Sequence, residues 1–268
     1  MSNTVKGRKK SVNNLCCKCG LDQVLENTLH PGGLKLTERL AGVAMLKPGC
    51  KVLEIGCGKG ITALFLARNY GCSITGIDIS PIQIALARER AKNENMVGKT
   101  SFITADCQEL PLFTDLFDMV FSECSISLVQ NKKRILDEIW RVLKPGGRLT
   151  ITDLVQRDNE VTKEPSKATP LFISSFALFP CIDNAESLKG YRKLLKSVGF
   201  QDIYTEDCSI ALKEAFFRMR LRFGRMDTLW KEIGCACDTC GNPIPPDECQ
   251  KQRRKTSIGY ALITATKE

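Results

Sequence analysis

The sequence predicts an α/β fold: a Rossmann-like, mostly parallel sheet with helices on both faces. Three observations carry that prediction. Residues 51–152 alternate short, apolar, β-branched runs with longer helical ones. A glycine-rich turn, Gly56-Cys57-Gly58-Lys59-Gly60, stands between the first run and the helix after it, and acidic residues, Asp78 and Asp106, end the second run and follow the third. Such a β-α-β rhythm feeds parallel strands, because each helix returns the chain to the same end of the sheet.

Taken in order, 51–55 is a strand and 61–69 a helix. A strand at 73–77 precedes the helix 81–93, "PIQIALARERAKN", for which Ser80 is the N-cap and Pro81 the first position. Residues 101–104, 117–121 and 148–152 are three more strands, the last two separated by an amphipathic helix at 132–143. Beyond them, Asp183 or Asn184 can cap a helix that runs to Val198 and stops at Gly199. Two further strands follow, at 201–209 and 257–266. The predicted organisation is therefore a cysteine-bearing arm (1–35), a main domain (36–209 with 257–268), and a long, charged, cysteine-rich insertion (210–256) between the last two strands.

The composition, 43% hydrophobic and 26% charged over 268 residues, is that of a globular chain. No apolar run reaches the roughly 18–20 residues of a spanning helix. The richest patch, "PLFISSFALFPCI" at 170–182, reads as a cavity wall, and the basic start "VKGRKKSVNN" has no hydrophobic stretch behind it to make a secretory signal. A cytoplasmic protein with no membrane partner is expected. In a reducing compartment its 14 cysteines read as buried thiols, metal ligands or reactive thiolates rather than disulfides. A single histidine, His30, leaves little for imidazole-based chemistry. Much of the net charge of +9 sits in two short runs, 6–10 and 251–255, which without interleaved aromatics read as solvated surface. Nucleic acid is thus a disfavoured partner.

Glycines after the first strand let the backbone turn sharply and approach a ligand, and Asp78 is placed for ribose hydroxyls. The spacing, Gly-x-Gly-x-Gly with Glu54 inside the strand, departs from the dinucleotide fingerprint. Together "VLEIGCGKG", "GIDIS", "ADCQELPL", "FDMVFSE" and "RVLKPGGRLTITD" resemble, in order and over roughly residues 36–155, the class I S-adenosylmethionine-dependent methyltransferases. That resemblance implies a seven-stranded sheet with an antiparallel last strand and S-adenosylmethionine as cofactor. By the same resemblance Gly56, Gly58 and Gly60 face the methionine part, with Glu54 organising that end. Asp78 then faces the ribose and Asp106 with Cys107 the adenine, while Ile79 and Ser122 complete the cofactor set. His30, in "TLHPGGLKL", reads as a solvated turn residue, with a contact near the cofactor as the alternative.

At the carboxyl end of the fourth strand, where the acceptor approaches, stands "SECSISL" in place of the Asn/Asp-Pro-Pro-aromatic run common in amino-methylating nucleic acid enzymes. This segment and "FPCIDNAESLKGYRKLLKSVGF" resemble the arsenite methyltransferases, which implies that Cys124 and Cys181 are thiolates that hold trivalent arsenic. Thiolate is a soft ligand for a soft acceptor, and the bound arsenic keeps a lone pair that needs no general base. The resemblance also implies a metalloid or small-molecule substrate and a thiol reductant. It departs at Ala63, where the family usually carries a further cysteine, and Cys16 or Cys17 could supply that thiol. Other soft acceptors, a small organic acceptor such as a quinone or thiol metabolite, and a metal- or metalloid-binding redox protein remain alternatives.

The other cysteines fall in two clusters, "CCKCG" and "CACDTCGNPIPPDEC". The pairs Cys16 with Cys19 and Cys237 with Cys240 have knuckle spacing, so they could form one all-thiolate zinc site. An iron–sulfur cluster, an arsenic-relay dithiol and surface thiols stay open beside zinc. Cys57, Cys72 and Cys208 read as core or loop residues.

Overall fold

The structure, a computed structural model, describes residue 28 and residues 30–157, 184–224 and 257–268. Along these the chain forms α1 (Gly33–Val43), β1 (Lys51–Ile55), α2 (Ile61–Tyr70), β2 (Ser73–Asp78), α3 (Pro81–Asn93) and β3 (Thr100–Thr104). There follow β4 (Phe117–Glu123), a 3-10 turn (Ile126–Leu128), α4 (Lys132–Val142), β5 (Leu143–Gln156), β6 (Glu186–Ser187), α5 (Leu188–Val198), β7 (Gln201–Asp207), α6 (Ser209–Phe223) and β8 (Ile258–Thr266).

All strands share one sheet in the order β3-β2-β1-β4-β5-β8-β7, with β6 a two-residue addition against β5. Strands β1 to β5 are parallel, and β8 runs antiparallel to both β5 and β7. The predicted Rossmann-like sheet with an antiparallel last strand is therefore present. The strand order reverses between β1 and β4, which opens a crevice beyond their carboxyl ends.

Each central strand is buried on both faces, so its alternate residues feed two separate cores. Phe121, Tyr260 and Leu262 enter the layer shared with α1, α2, α3 and α6. Val120, Ala261 and Ile263 enter the layer shared with α4 and α5. Helix α3 starts as predicted: Ser80 Oγ accepts from Gln83 N (3.4 Å) and Pro81 occupies the first position. Gly199 ends α5 in the left-handed region (φ 114°), also as predicted.

Three expectations change. Helix α5 is capped by Ser187, whose Oγ accepts from Gly190 N (3.0 Å), and not by Asn184. The cause is β6, where Glu186 and Ser187 extend to pair with Val155 and Gln156, so the helix cannot begin earlier. Helix α4 yields to β5 at Leu143, and the strand carries the Lys144–Gly147 turn as a register shift against β4. Finally, the first part of the expected insertion is α6, which lays Leu212, Ala215 and Met219 on the core at helical spacing. Residues 225–256, like 1–27, lie outside the described residues. No helix among the described residues is long and apolar enough to cross a membrane.

Candidate active site

The turn after β1 is shaped by its glycines. Gly56 (φ 72°), Gly58 (φ 49°) and Gly60 (φ 73°) all adopt the left-handed region. Gly56 N and Cys57 N donate to Ile77 O (2.8 and 2.9 Å), which ties the turn to β2. A Cβ on Gly56 would lie 2.0 Å from Ser125 Oγ, so the turn and the loop after β4 pass in direct contact. One Cβ on Gly60 would meet Phe102 Cζ at 2.8 Å. Cys57 is buried, and burial followed by the charges of Glu54 and Asp78 pushes its thiol far up, which makes it a core residue.

Asp78 stands at the end of β2, directly against that turn. Its Oδ2 accepts from Gly58 N (3.0 Å) and its Oδ1 from Ser80 N (2.8 Å). Each oxygen retains a lone pair for a further donor. Burial raises its pKa against these backbone donors. Ile79, the next residue, is an apolar side chain 37% exposed at the mouth.

Two carboxylates enter the cleft above the glycine turn, which is also lined by Thr62 and His30. Glu54 is buried and its Oε2 has no hydrogen-bond partner. Burial first, and then the nearby carboxylates of Glu123 and Asp78, hold Glu54 well above the usual carboxylate range. Glu123, at the end of β4, accepts from Thr37 Oγ1 of α1 (3.0 Å) and from Thr62 Oγ1 of α2 (2.9 Å). His30 Nε2 lies 3.3 Å from Glu123 Oε2, out of line for a hydrogen bond. His30 is only 5% exposed, which corrects the solvated-turn reading: the Pro-Gly-Gly turn folds it inward against Glu123. No local pattern marks Glu123 or His30 as partners, because they lie far apart in the sequence and meet only in the fold.

Cys124 follows directly and has φ 52°. This left-handed residue breaks the strand's alternation, so consecutive Glu123 and Cys124 both face the α1/α2 layer. Cys124 N donates to Thr152 O (2.8 Å), and its Sγ lies 3.2 Å from the Tyr260 hydroxyl on β8. The loop beyond is fixed by Asp153 of β5, whose carboxylate accepts from Ser127 N (2.7 Å) and Ser127 Oγ (2.5 Å). Burial lifts Asp153 to about 6 despite those donors.

Of the other predicted residues, Asp106 and Cys107 lie in the connection after β3. Asp106 Oδ1 accepts from Gln108 N (3.0 Å), and Cys107 is half-buried against the α4 layer. The same connection is held by Glu138, which accepts from Leu110 N (2.7 Å), and by Arg141, which donates to Leu110 O and Leu112 O. Ser122 is fully buried in β4 with an unpartnered Oγ. Ala63 is buried in α2. Cys181, Cys16, Cys17, Cys19, Cys237 and Cys240 lie outside the described residues. Among the described residues no group of three or more His, Cys, Asp or Glu could hold a metal ion.

The residues present fit S-adenosylmethionine. An unpartnered buried carboxylate oxygen beside a second carboxylate calls for a cation, and the cofactor carries an ammonium and a sulfonium. The left-handed glycines let the backbone of the turn approach a ligand with no side chain between them.

A family described as a methyltransferase domain matches residues 46–205. The methyltransferase GfsG of Streptomyces halstedii is 30% identical over 181 residues, which are 68% of this chain and 63% of that protein. The 27-O-demethylrifamycin SV methyltransferase of Amycolatopsis mediterranei is 28% identical over 90% of this chain and 85% of its own. Phosphoethanolamine N-methyltransferase 2 of Haemonchus contortus, solved with S-adenosyl-L-methionine, has a TM-score of 0.69 at 22% identity, over 92% of this chain and 56% of that one. The chain thus spans less than two thirds of two of these three proteins.

Proposed function

Since the chain belongs to the S-adenosylmethionine-dependent methyltransferases, we propose that it methylates a soft acceptor held by thiolates, with arsenite the best candidate. The observation that carries this reading is Cys124. A cysteine in a left-handed conformation stands at the carboxyl end of β4, directly after Glu123 and one residue before the Ser125 that touches the glycine turn. An L-residue in that region costs about 1–2 kcal/mol. Backbone strain of this kind concentrates where a side chain must be aimed for function.

Bound S-adenosylmethionine supplies an electrophilic methyl group. In this proposal Glu54 and Glu123 hold its cationic end, the glycine turn passes beneath it, and Asp78 takes the ribose. Asp106, Cys107 and Ile79 border the adenine, and Ser122 offers an unused hydroxyl on β4. Cys124, joined by Cys181, grips the acceptor. An acceptor atom that attacks with its own lone pair releases no proton, so no base is required of this site. Holding it in a near-attack geometry then carries much of the rate.

The test is methyl transfer from radiolabelled S-adenosylmethionine to arsenite in excess thiol, with wild type, Cys124→Ser and Cys181→Ser compared. Transfer by the wild type that each substitution removes supports the reading. No transfer from a protein that binds S-adenosylhomocysteine sinks it. A second reading is favoured by the relatives' own names, which specify phosphoethanolamine and a rifamycin: the acceptor is a small organic molecule, and Glu123 with His30 takes its proton. In that case Cys124→Ser keeps most of the activity.

A further inference from the structure

Tyr260 comes from the far end of the chain and no resemblance assigns it a role. It is fully buried in β8, yet its hydroxyl ends on two polar partners: Cys124 Sγ at 3.2 Å and Thr152 Oγ1 at 3.1 Å. Thr152 is itself fully buried in β5 and also accepts from Cys124 N through its carbonyl. A tyrosine that served packing alone would be replaced by phenylalanine without loss, whereas a buried phenol needs partners and here selects the sulfur.

We propose that Tyr260 is a positioning residue for the acceptor thiol: its hydroxyl donates to Thr152 Oγ1 while Cys124 is a thiol, and donates instead to Cys124 Sγ once that sulfur is ionised, which holds the thiolate in place. The inference rests on the reading that Cys124 grips the acceptor. The polar and titratable groups facing this sulfur explain why a donor is needed. Tyr191 approaches from α5, and the Glu123 carboxylate precedes Cys124 in the chain. A carboxylate next door disfavours a thiolate. One donated hydrogen bond offsets it, since bonds to charged groups are the stronger ones. When the thiol loses its proton to solvent, the Tyr260 proton turns from Thr152 Oγ1 to Sγ, and the Thr152 hydroxyl can rotate to donate to the phenolic oxygen, so the Tyr260–Thr152 bond reverses its direction rather than being lost. Burial holds the Tyr260 hydroxyl well above its ordinary value, so it remains protonated and available as a donor.

The experiment follows the rate at which iodoacetamide alkylates Cys124 as a function of pH, read by mass spectrometry on the peptide that contains it, in the 268-residue chain without acceptor. In Tyr260→Phe the profile should move up by about one pH unit, a roughly tenfold slower reaction near neutrality. Incorporation of 3-fluorotyrosine at position 260, a stronger donor of nearly the same shape, should move it down. Opposite shifts cannot come from a general loosening of the fold, so the pair remains decisive even if the phenylalanine variant is less stable. A profile unchanged in Tyr260→Phe, or moved the same way by both replacements, overturns the proposal. Because no acceptor is present, opposite shifts together with failure to methylate arsenite would leave the Tyr260–Cys124 bond standing and remove the arsenite reading alone.

Discussion

Gly56→Ala tests whether the glycine turn and the loop after β4 are built against each other. Two costs add. An alanine at φ 72° pays the left-handed penalty of about 1–2 kcal/mol. Its Cβ would also lie 2.0 Å from Ser125 Oγ and 2.7 Å from Ser125 Cβ, which forces the loop after β4 to move, an overpacking cost of about 1–3 kcal/mol. A total near 3 kcal/mol lowers the melting temperature by roughly 6–12 °C for a chain of this size. The two parts separate in a double-mutant cycle with Ser125→Gly, which removes both clashing atoms and leaves the backbone penalty. Urea unfolding of wild type, both single variants and the double should give a coupling of at least about 1 kcal/mol in favour of the double. Ser125 Oγ also donates to Glu123 O (3.0 Å), so the single Ser125→Gly carries a cost of its own and the cycle subtracts it. Additivity within about 0.5 kcal/mol would refute the contact, and Gly56→Ala as stable as wild type would refute both terms.

Asp78→Ala should weaken S-adenosylhomocysteine at least about 100-fold in isothermal titration, because it removes the proposed ribose acceptor and frees Gly58 N and Ser80 N at once; unchanged affinity would reject the cofactor site. Asp153 predicts a pH dependence. Its pKa is raised from 3.8 to about 6 by burial, so its contribution to stability is fully present below 3.8 and is lost as pH rises through 6. The loss is about 3 kcal/mol, and Asp153→Asn should therefore gain that much relative to wild type between pH 4 and pH 7.5 in denaturant titrations; a difference that stays flat across the window contradicts the assignment.

The parallel half of the fold was legible because β1, β2, β4 and β5 are buried on both faces, which leaves short apolar runs bounded by glycine, proline and acidic residues. Ser80 and Pro81 could be placed for a local reason, since a cap needs only its own next three residues. The two-residue β6 has no such pattern, and it displaced the cap of α5 to Ser187. Helix α6 was hidden because its exposed side mixes charges with the apolar Ile210, Phe217 and Leu221, which blurs the spacing of the buried Leu212, Ala215 and Met219. In the site, the glycine turn and Asp78 were readable from spacing. The Glu123 cluster was not: Thr37, Thr62 and His30 are each ordinary in their local sequence and gain meaning only where α1, α2 and β4 meet. Tyr260 lies 136 residues from Cys124 and in "SIGYALITAT" looks like any core aromatic.

The interior position of β8 has a consequence for how the molecule comes into being. Among the described residues β7 has no sheet neighbour other than β8, and β5 has β8 along the side away from β4, so residues 258–266 close a gap between strands synthesised long before them. Until they arrive, β5 presents an open edge, and pairings of such wide sequence separation form slowly. The glycine turn, by contrast, needs only β1, α2 and β2. A growing chain therefore has its glycine turn early and acquires the hydroxyl beside Cys124 last.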